Sequence, residues 1–288
     1  MPAIFRTVLS FAVVLALLSP AVSQDKQATK SKAATDQTAP RTEKDSFHLF
    51  LLVGQSNMAG RGLVSDADKQ PLPNILMLNK QKQWVPATHP MHFDKSQAGV
   101  GLGRTFAREI LKANPSVTIG LIPCAVGGSS IAVWEPGGKH TKTNTHPYDD
   151  TLVRLQAAMK DGMLKGILWH QGESDSKPAS SKAYEARLHT LIRRLRAESG
   201  DKNVPFIVGQ LGQFPERPWD ENRKRVDQAH RAVPDKIENA AFVPSDGLKH
   251  KGDNTHFSTE AYKELGKRYA KAYLSLIKQT SKQTVGAK

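Results

Sequence analysis

Ser56 stands two residues beyond an apolar run, in Val53-Gly54-Gln55-Ser56-Asn57-Met58-Ala59-Gly60. A serine so placed is a nucleophile if an imidazole can take its proton, and it is equally suited to cap a helix. The stretch lacks the second glycine of G-x-S-x-G, so it is not the nucleophile elbow of the α/β-hydrolases. An imidazole of the right kind occurs near the other end of the chain, in Asp253-Asn254-Thr255-His256. Three residues apart in a turn, the Asp253 carboxylate can hold one ring nitrogen of His256 while the other faces outward as a base.

Two further blocks carry hydrogen-bonding groups. In Ala125-Val126-Gly127-Gly128-Ser129-Ser130-Ile131, adjacent glycines permit unusual backbone angles and leave amides bare. That suits an oxyanion site, a plain tight turn being the alternative. No Gly-Lys-Ser/Thr follows, so the turn is not a phosphate-binding loop. In Trp169-His170-Gln171-Gly172-Glu173-Ser174-Asp175, the Gln171 amide can donate to a developing negative oxygen. His170 and Glu173 match no standard ligand spacing, so neither a metal nor another cofactor is expected.

These blocks follow apolar runs that read as strands: Phe47–Val53, Val117–Ile122, Gly166–Trp169, Pro205–Val208 and a weaker Ala240–Val243. Amphipathic stretches lie between them, at Leu102–Ala113, Leu152–Met163, Tyr184–Leu195 and Tyr262–Ile277. Ser258 and Glu260 read as the cap and first turn of the last helix. Strand and helix alternate, which predicts an α/β fold: a three-layer αβα sandwich around a mainly parallel sheet of about five strands. In such sheets the ligand crevice lies beyond the carboxyl ends of the strands, where three of the four blocks fall.

The four blocks, in this order, resemble the SGNH hydrolases, and more closely the sialate O-acetylesterase-like family that includes the acetylxylan esterases of carbohydrate esterase family 6. The resemblance spans residues 47–275. It implies Ser56 as nucleophile and His256 as base. It implies an oxyanion hole from the amides of Ser56 and Gly128 and the side chain of Gln171. The triad acid is Asp253, with Glu173, the other candidate for that role, supporting the site by hydrogen bonding. The function implied is removal of acetyl groups from glycans of the acetylxylan type through an acetyl-serine intermediate. O-acetylated sialic acids are an alternative substrate, and a non-catalytic glycan-binding protein of the same fold is an alternative of another class. The partner expected is an acetylated oligo- or polysaccharide. Trp134 is placed to stack on a sugar ring or to pack the wall; Trp84, His92, Trp219 and Arg104 are weaker candidates for sugar contact.

Arg6, the run Val8–Leu18 and the small residues Ala21 and Ser23 read as a cleaved export signal over residues 1–23. The apolar run is too short for a stable membrane span, so no span is expected after cleavage. Residues 24–45 are a polar leader, 46–279 the folded domain and 280–288 a polar tail. One cysteine, Cys124, excludes an internal disulfide framework; export without disulfides points to a secreted or periplasmic bacterial protein. The chain of 288 residues carries 41 Lys+Arg against 27 Asp+Glu. The signs are mixed along its length and no DNA-binding signature occurs, so no nucleic-acid partner is expected; the excess reads as a basic solvated surface of the kind that favours acidic glycans.

Overall fold

The computed structural model describes residues 43–286. The expected export signal and residues 24–42 of the leader lie outside the described residues. Strand β1 (Phe47–Gly54) occupies the middle of the sheet. It pairs in parallel with β4 (Thr118–Pro123) on one side and β5 (Met163–His170) on the other. Beyond β5 follow β6 (Phe206–Gly209) and β7 (Ala240–Val243), both parallel.

The sheet has seven strands, where the sequence predicts about five. The two additional ones are β2 (Ile75–Leu78), parallel to β4, and β3 (Trp84–Pro86), antiparallel to β2, giving the order β3-β2-β4-β1-β5-β6-β7. They form a short hairpin at the sheet edge and are only partly buried; β3 is too short to leave an apolar run, whereas β2 does carry one of four residues, Ile75–Leu78, that the count of five leaves out.

Strand alternation divides the core. Leu49, Leu51 and Val53 face one side, where they join the cluster formed by α3 (Pro147–Ala158), α4 (Pro178–Ser199) and α5 (Glu221–Arg231). Phe50 and Leu52 face the other, toward α2 (Gly103–Ala113) and α7 (Thr259–Gly286). There Phe50 meets Phe106 of α2 and Tyr273 of α7 edge-on, at centroid distances of 4.9 and 5.2 Å. Truncating such a buried ring typically costs about 3–5 kcal/mol. The remaining helices are the single turns α1 (Ser56–Ala59) and α6 (Val233–Lys236).

Two boundaries differ from expectation. Helix α3 starts and ends five residues earlier than the apolar period suggests. Pro147 suits its first turn, Asp150 accepts the His146 N–H, and Met163 opens β5 instead of closing a helix. Helix α7 continues past residue 279, through the expected polar tail, to Gly286. No helix among the described residues is long and apolar enough to cross a membrane.

Four buried histidines make the fold acid-sensitive. Burial holds the imidazoles of His92 and His230 down at about 3 and those of His89 and His170 at about 4. In the unfolded chain they take up protons near about 6.5. The folded state thus binds fewer protons below that value, so stability is full above it and falls as the pH drops toward the folded pKa values. At pH 5 each costs up to about 2 kcal/mol. The urea midpoint is expected to be level above pH 7 and to fall steadily between pH 6.5 and 4.5; a level midpoint across that window contradicts this account.

Candidate active site

The position of Ser56 is set by a glycine. Gly54 ends β1 with φ +135°, and a Cβ there would lie 2.2 Å from the His170 carbonyl oxygen. That carbonyl accepts the Gln55 N–H at 2.9 Å, pinning the turn to the end of β5. Ser56 then opens α1 at the carboxyl end of the central strand. It is the first helical residue and not the cap, which is Gln55.

His256 arrives on a loop before α7. Asp253 Oδ1 accepts the N–H groups of Thr255 and His256 at 3.1 and 2.8 Å, and Asn254 takes the left-handed conformation at φ 53°. Both features are those of a tight Asx-type turn. The Lys251 N–H to His256 carbonyl bond, 2.9 Å, closes the loop. The turn brings His256 Nδ1 to 2.7 Å from Asp253 Oδ2, and Nε2 to 2.9 Å from Ser56 Oγ. With Nδ1–H donating to the carboxylate, Nε2 is left to accept the serine proton. Burial pushes the Asp253 carboxyl up, but the His256 amide and ring and the Thr255 amide outweigh it and hold the group at about 2. The acid therefore stays ionised beside the imidazole at neutral pH.

Glu173, the other candidate acid, makes no hydrogen bond to His256. Its Oε1 accepts from Asn57 Nδ2 at 2.5 Å. Asn57 is fully buried and also donates to the Thr255 carbonyl at 3.0 Å, while its Oδ1 accepts from Tyr262 Oη at 2.6 Å and from the Phe257 N–H at 3.3 Å. This one amide ties the nucleophile's helix to the histidine loop, to α7 and to Glu173. Sequence reasoning gave Asn57 no role, because its partners are remote in the chain and only its place beside Ser56 hinted at one.

Gly128 has φ +83° and lines the cleft with Ser56. Neither the Ser56 amide nor the Gly128 amide donates to a protein acceptor among the described residues. The turn beneath is anchored by Asp94, whose Oδ2 accepts the Gly127 N–H and Arg61 Nη2, each at 2.8 Å.

Gln171 is placed differently from expectation. Its side chain is fully buried and does not line the cleft. The amide nitrogen instead faces three acceptors: Asp175 Oδ2 at 2.5 Å, the Ser129 carbonyl at 3.0 Å and Gln55 Oε1 at 3.2 Å. With its amide nitrogen so engaged, it is a strut that braces the turn carrying Gly128 from beneath and directs no donor into the cleft. Asp175 completes the strut by accepting the Ile131 N–H at 2.8 Å. Three strand-end loops thus meet on two buried side chains. The sequence showed Asp175 and Gln55 within the blocks, but nothing in their spacing gives the direction in which the Gln171 side chain turns.

The candidate sugar contacts divide similarly. Trp134 is buried, donates to Ser129 Oγ at 2.9 Å and packs edge-on against Trp169, so it belongs to the core. Trp84 bonds Asp161, Trp219 bonds the Gly212 carbonyl, and Arg104 is buried against the carbonyls of Asp68 and Gln70. None of these four lines the cleft, and neither does His92. Among the described residues no group of three or more His, Cys, Asp or Glu could hold a metal ion.

The cleft has a volume of about 560 Å³. Arg61, Lys95, Lys177, Arg217, Arg223 and Lys251 line it, against only Glu173 and Asp253 of opposite sign. Arg223 is 7% exposed, and its guanidinium has no hydrogen-bond or ion-pair partner among the described residues. The arrangement can deprotonate a serine and hold a developing oxyanion beside a strongly positive wall.

Comparison with known proteins identifies the family. Residues 46–275 match the family described as carbohydrate esterase, sialic acid-specific acetylesterase. A probable carbohydrate esterase of Arabidopsis thaliana is 32% identical over 251 residues, covering 79% of this chain and 90% of that protein. Its X-ray structure superposes with a TM-score of 0.70 over 79% of this chain and 98% of that one. NanS shares the fold at 18% identity and a TM-score of 0.68, covering 83% of this chain and 99% of that one. A carbohydrate acetylesterase of Xanthomonas citri shares it at 24% identity and 0.61, covering 78% of this chain and 55% of that one. With residues 46–275 matched to the family model, the chain belongs to the sialic acid-specific acetylesterase family of carbohydrate esterases.

Proposed function

We propose that the chain hydrolyses O-acetyl esters of sugars by a Ser56–His256–Asp253 mechanism. The observation that carries this reading is the unbroken pair of contacts, 2.9 Å from Ser56 Oγ to His256 Nε2 and 2.7 Å from His256 Nδ1 to Asp253 Oδ2. As Ser56 Oγ attacks the acetyl carbonyl, His256 takes its proton and the carbonyl oxygen becomes an oxyanion held by the amides of Ser56 and Gly128. Collapse of the intermediate expels the sugar oxygen, which leaves with the proton from His256. Water, deprotonated in turn by His256, then cleaves the acetyl-serine to acetate and free serine. The same reading places the mature protein outside the cytoplasm, on the strength of the signal-like residues 1–23.

Acetylated xylan is the substrate that the resemblance of the four blocks to acetylxylan esterases suggests. A second reading, an O-acetylated acidic sugar such as a sialic acid, is favoured by the six cations of the cleft and by the buried, unpaired Arg223. Acetate release from acetylxylan and from O-acetylated sialic acid tests both. On the acidic reading, Arg223→Gln raises KM for the sialic acid about tenfold or more, the effect of losing one charge-assisted hydrogen bond, and leaves kcat unchanged. Equal KM values in wild type and variant, with acetylxylan preferred, reject that reading and leave the xylan one standing. No acetate from either substrate would count against sugar deacetylation itself.

A further inference from the structure

A second cavity, of about 500 Å³, opens beside the catalytic cleft. The two meet at two places in the chain. Asp94 and Val126 line the second cavity, and their immediate successors Lys95 and Gly127 line the first. Asp94 also accepts the Gly127 N–H, so the boundary between the cavities is the same turn that presents the Gly128 amide.

The lining has the chemistry of a sugar site. Phe93 is one of the few large apolar side chains left exposed, at 43%. The Arg154 guanidinium lies over its ring, 4.7 Å from the centroid. Arg154 is itself fixed, since it donates to the backbone carbonyls of Leu78, Asn79 and Pro123. The ring is therefore held from one face, with the exposed remainder on the cavity. His92 lines the same cavity, is buried to 4% exposure, and its Nε2 has no hydrogen-bond partner. Burial keeps that imidazole neutral, so it can bond a hydroxyl without demanding a charge. The charges at the rim are of both signs, Lys80 and Lys82 with Asp150. An aromatic face for C–H groups, a neutral buried imidazole and a lining with charges of both signs fit a polyhydroxylated ring.

We infer that this cavity binds a neighbouring pyranose unit of the glycan whose acetyl group occupies the catalytic cleft. The inference rests on the reading of the chain as a sugar O-acetylesterase and extends it: the enzyme reads an oligosaccharide and not an isolated acetylated sugar. Steady-state acetate release is to be measured on O-acetylated xylo-oligosaccharides of one to six units and on O-acetylated oligosialic acids of the same lengths, with 4-nitrophenyl acetate as the short reference ester. The expected result is a kcat/KM that rises about fivefold to tenfold from one unit to two or more in the series cleaved. Phe93→Ala is expected to abolish that rise, through KM, while 4-nitrophenyl acetate is hydrolysed as by the wild type. A kcat/KM independent of length, a rise that survives Phe93→Ala, or hydrolysis of the reference ester alone overturns the subsite. Failure to hydrolyse even 4-nitrophenyl acetate would instead overturn the esterase reading, so the two failures are distinguishable.

Discussion

Ser56→Ala is expected to lower kcat for 4-nitrophenyl acetate by on the order of 10⁴-fold or more, to the residual rate that a binding cleft and oxyanion amides sustain without a nucleophile. The fold should be unaffected, because among the described residues the Ser56 hydroxyl bonds only His256 and both side chains line the cleft. His256→Ala should be similarly inactive. The acid is distinguished by a pair of isosteric changes. Asp253→Asn removes the charge and disturbs the tautomer of His256, with a loss of about 10²-fold to 10⁴-fold in kcat. Glu173→Gln keeps an oxygen for Asn57 and leaves the imidazole's partner in place, so kcat should stay within a few-fold. Stopped-flow acylation with circular dichroism on the same samples reads all four variants. Substantial activity in Ser56→Ala, or a larger loss in Glu173→Gln than in Asp253→Asn, would refute the assignment.

Gln171→Ala is expected to lower kcat about 10²-fold with KM little changed, the size of effect seen when an oxyanion donor is lost. The structural cause is indirect. Without the Gln171 amide, the Ser129 carbonyl, Gln55 and Asp175 lose their common donor, and the turn bearing the Gly128 amide is no longer held. Asp175→Ala should match it, since Asp175 also holds the Ile131 N–H. Asp175→Asn, whose remaining oxygen can accept both N–H groups, should retain most activity. A strut fails once: the double variant should be scarcely worse than either single one, whereas a direct donor and a separate support would multiply. Multiplying losses, or a Gln171→Ala enzyme of full activity, would exclude the strut.

The difference between Gln171 and the triad shows what a sequence can carry. Asp253 and His256 are three apart, so their contact is fixed within one turn and legible from spacing. Ser56 and His256 are joined only by the fold, but each lies beside a strong element signal, the end of a buried strand and the start of an amphipathic helix. Gln171 also follows a buried strand, yet its direction depends on Asp175 within its own loop and on Ser129 from another strand end. Asn57 and Arg223 were invisible for the same reason: their meaning lies in partners, or the lack of one, remote in the chain. Within the sheet, the runs of β1, β4, β5 and β6 were legible because burial on both faces demands continuous apolar sequence, and the edge strand β7, buried only at its two ends, gave the weaker fifth run. Of the hairpin, β3 has three residues and shows no run, while the apolar Ile75–Leu78 of β2 is followed by no helix and so lacked the strand–helix alternation that marked the others.

Strand β1 is the first strand of the chain and the middle of the sheet, so Phe47 must wait for Thr118 and His48 for Met163 before either flank is in place. On the proposed mechanism its far end delivers the attacking alcohol, whereas the group that deprotonates it is made almost last. A polypeptide interrupted anywhere short of His256 would hold a nucleophile that cannot be fired. Ester cleavage is in this sense a certificate of completion: a nascent or half-assembled molecule has no partial activity with which to damage its surroundings.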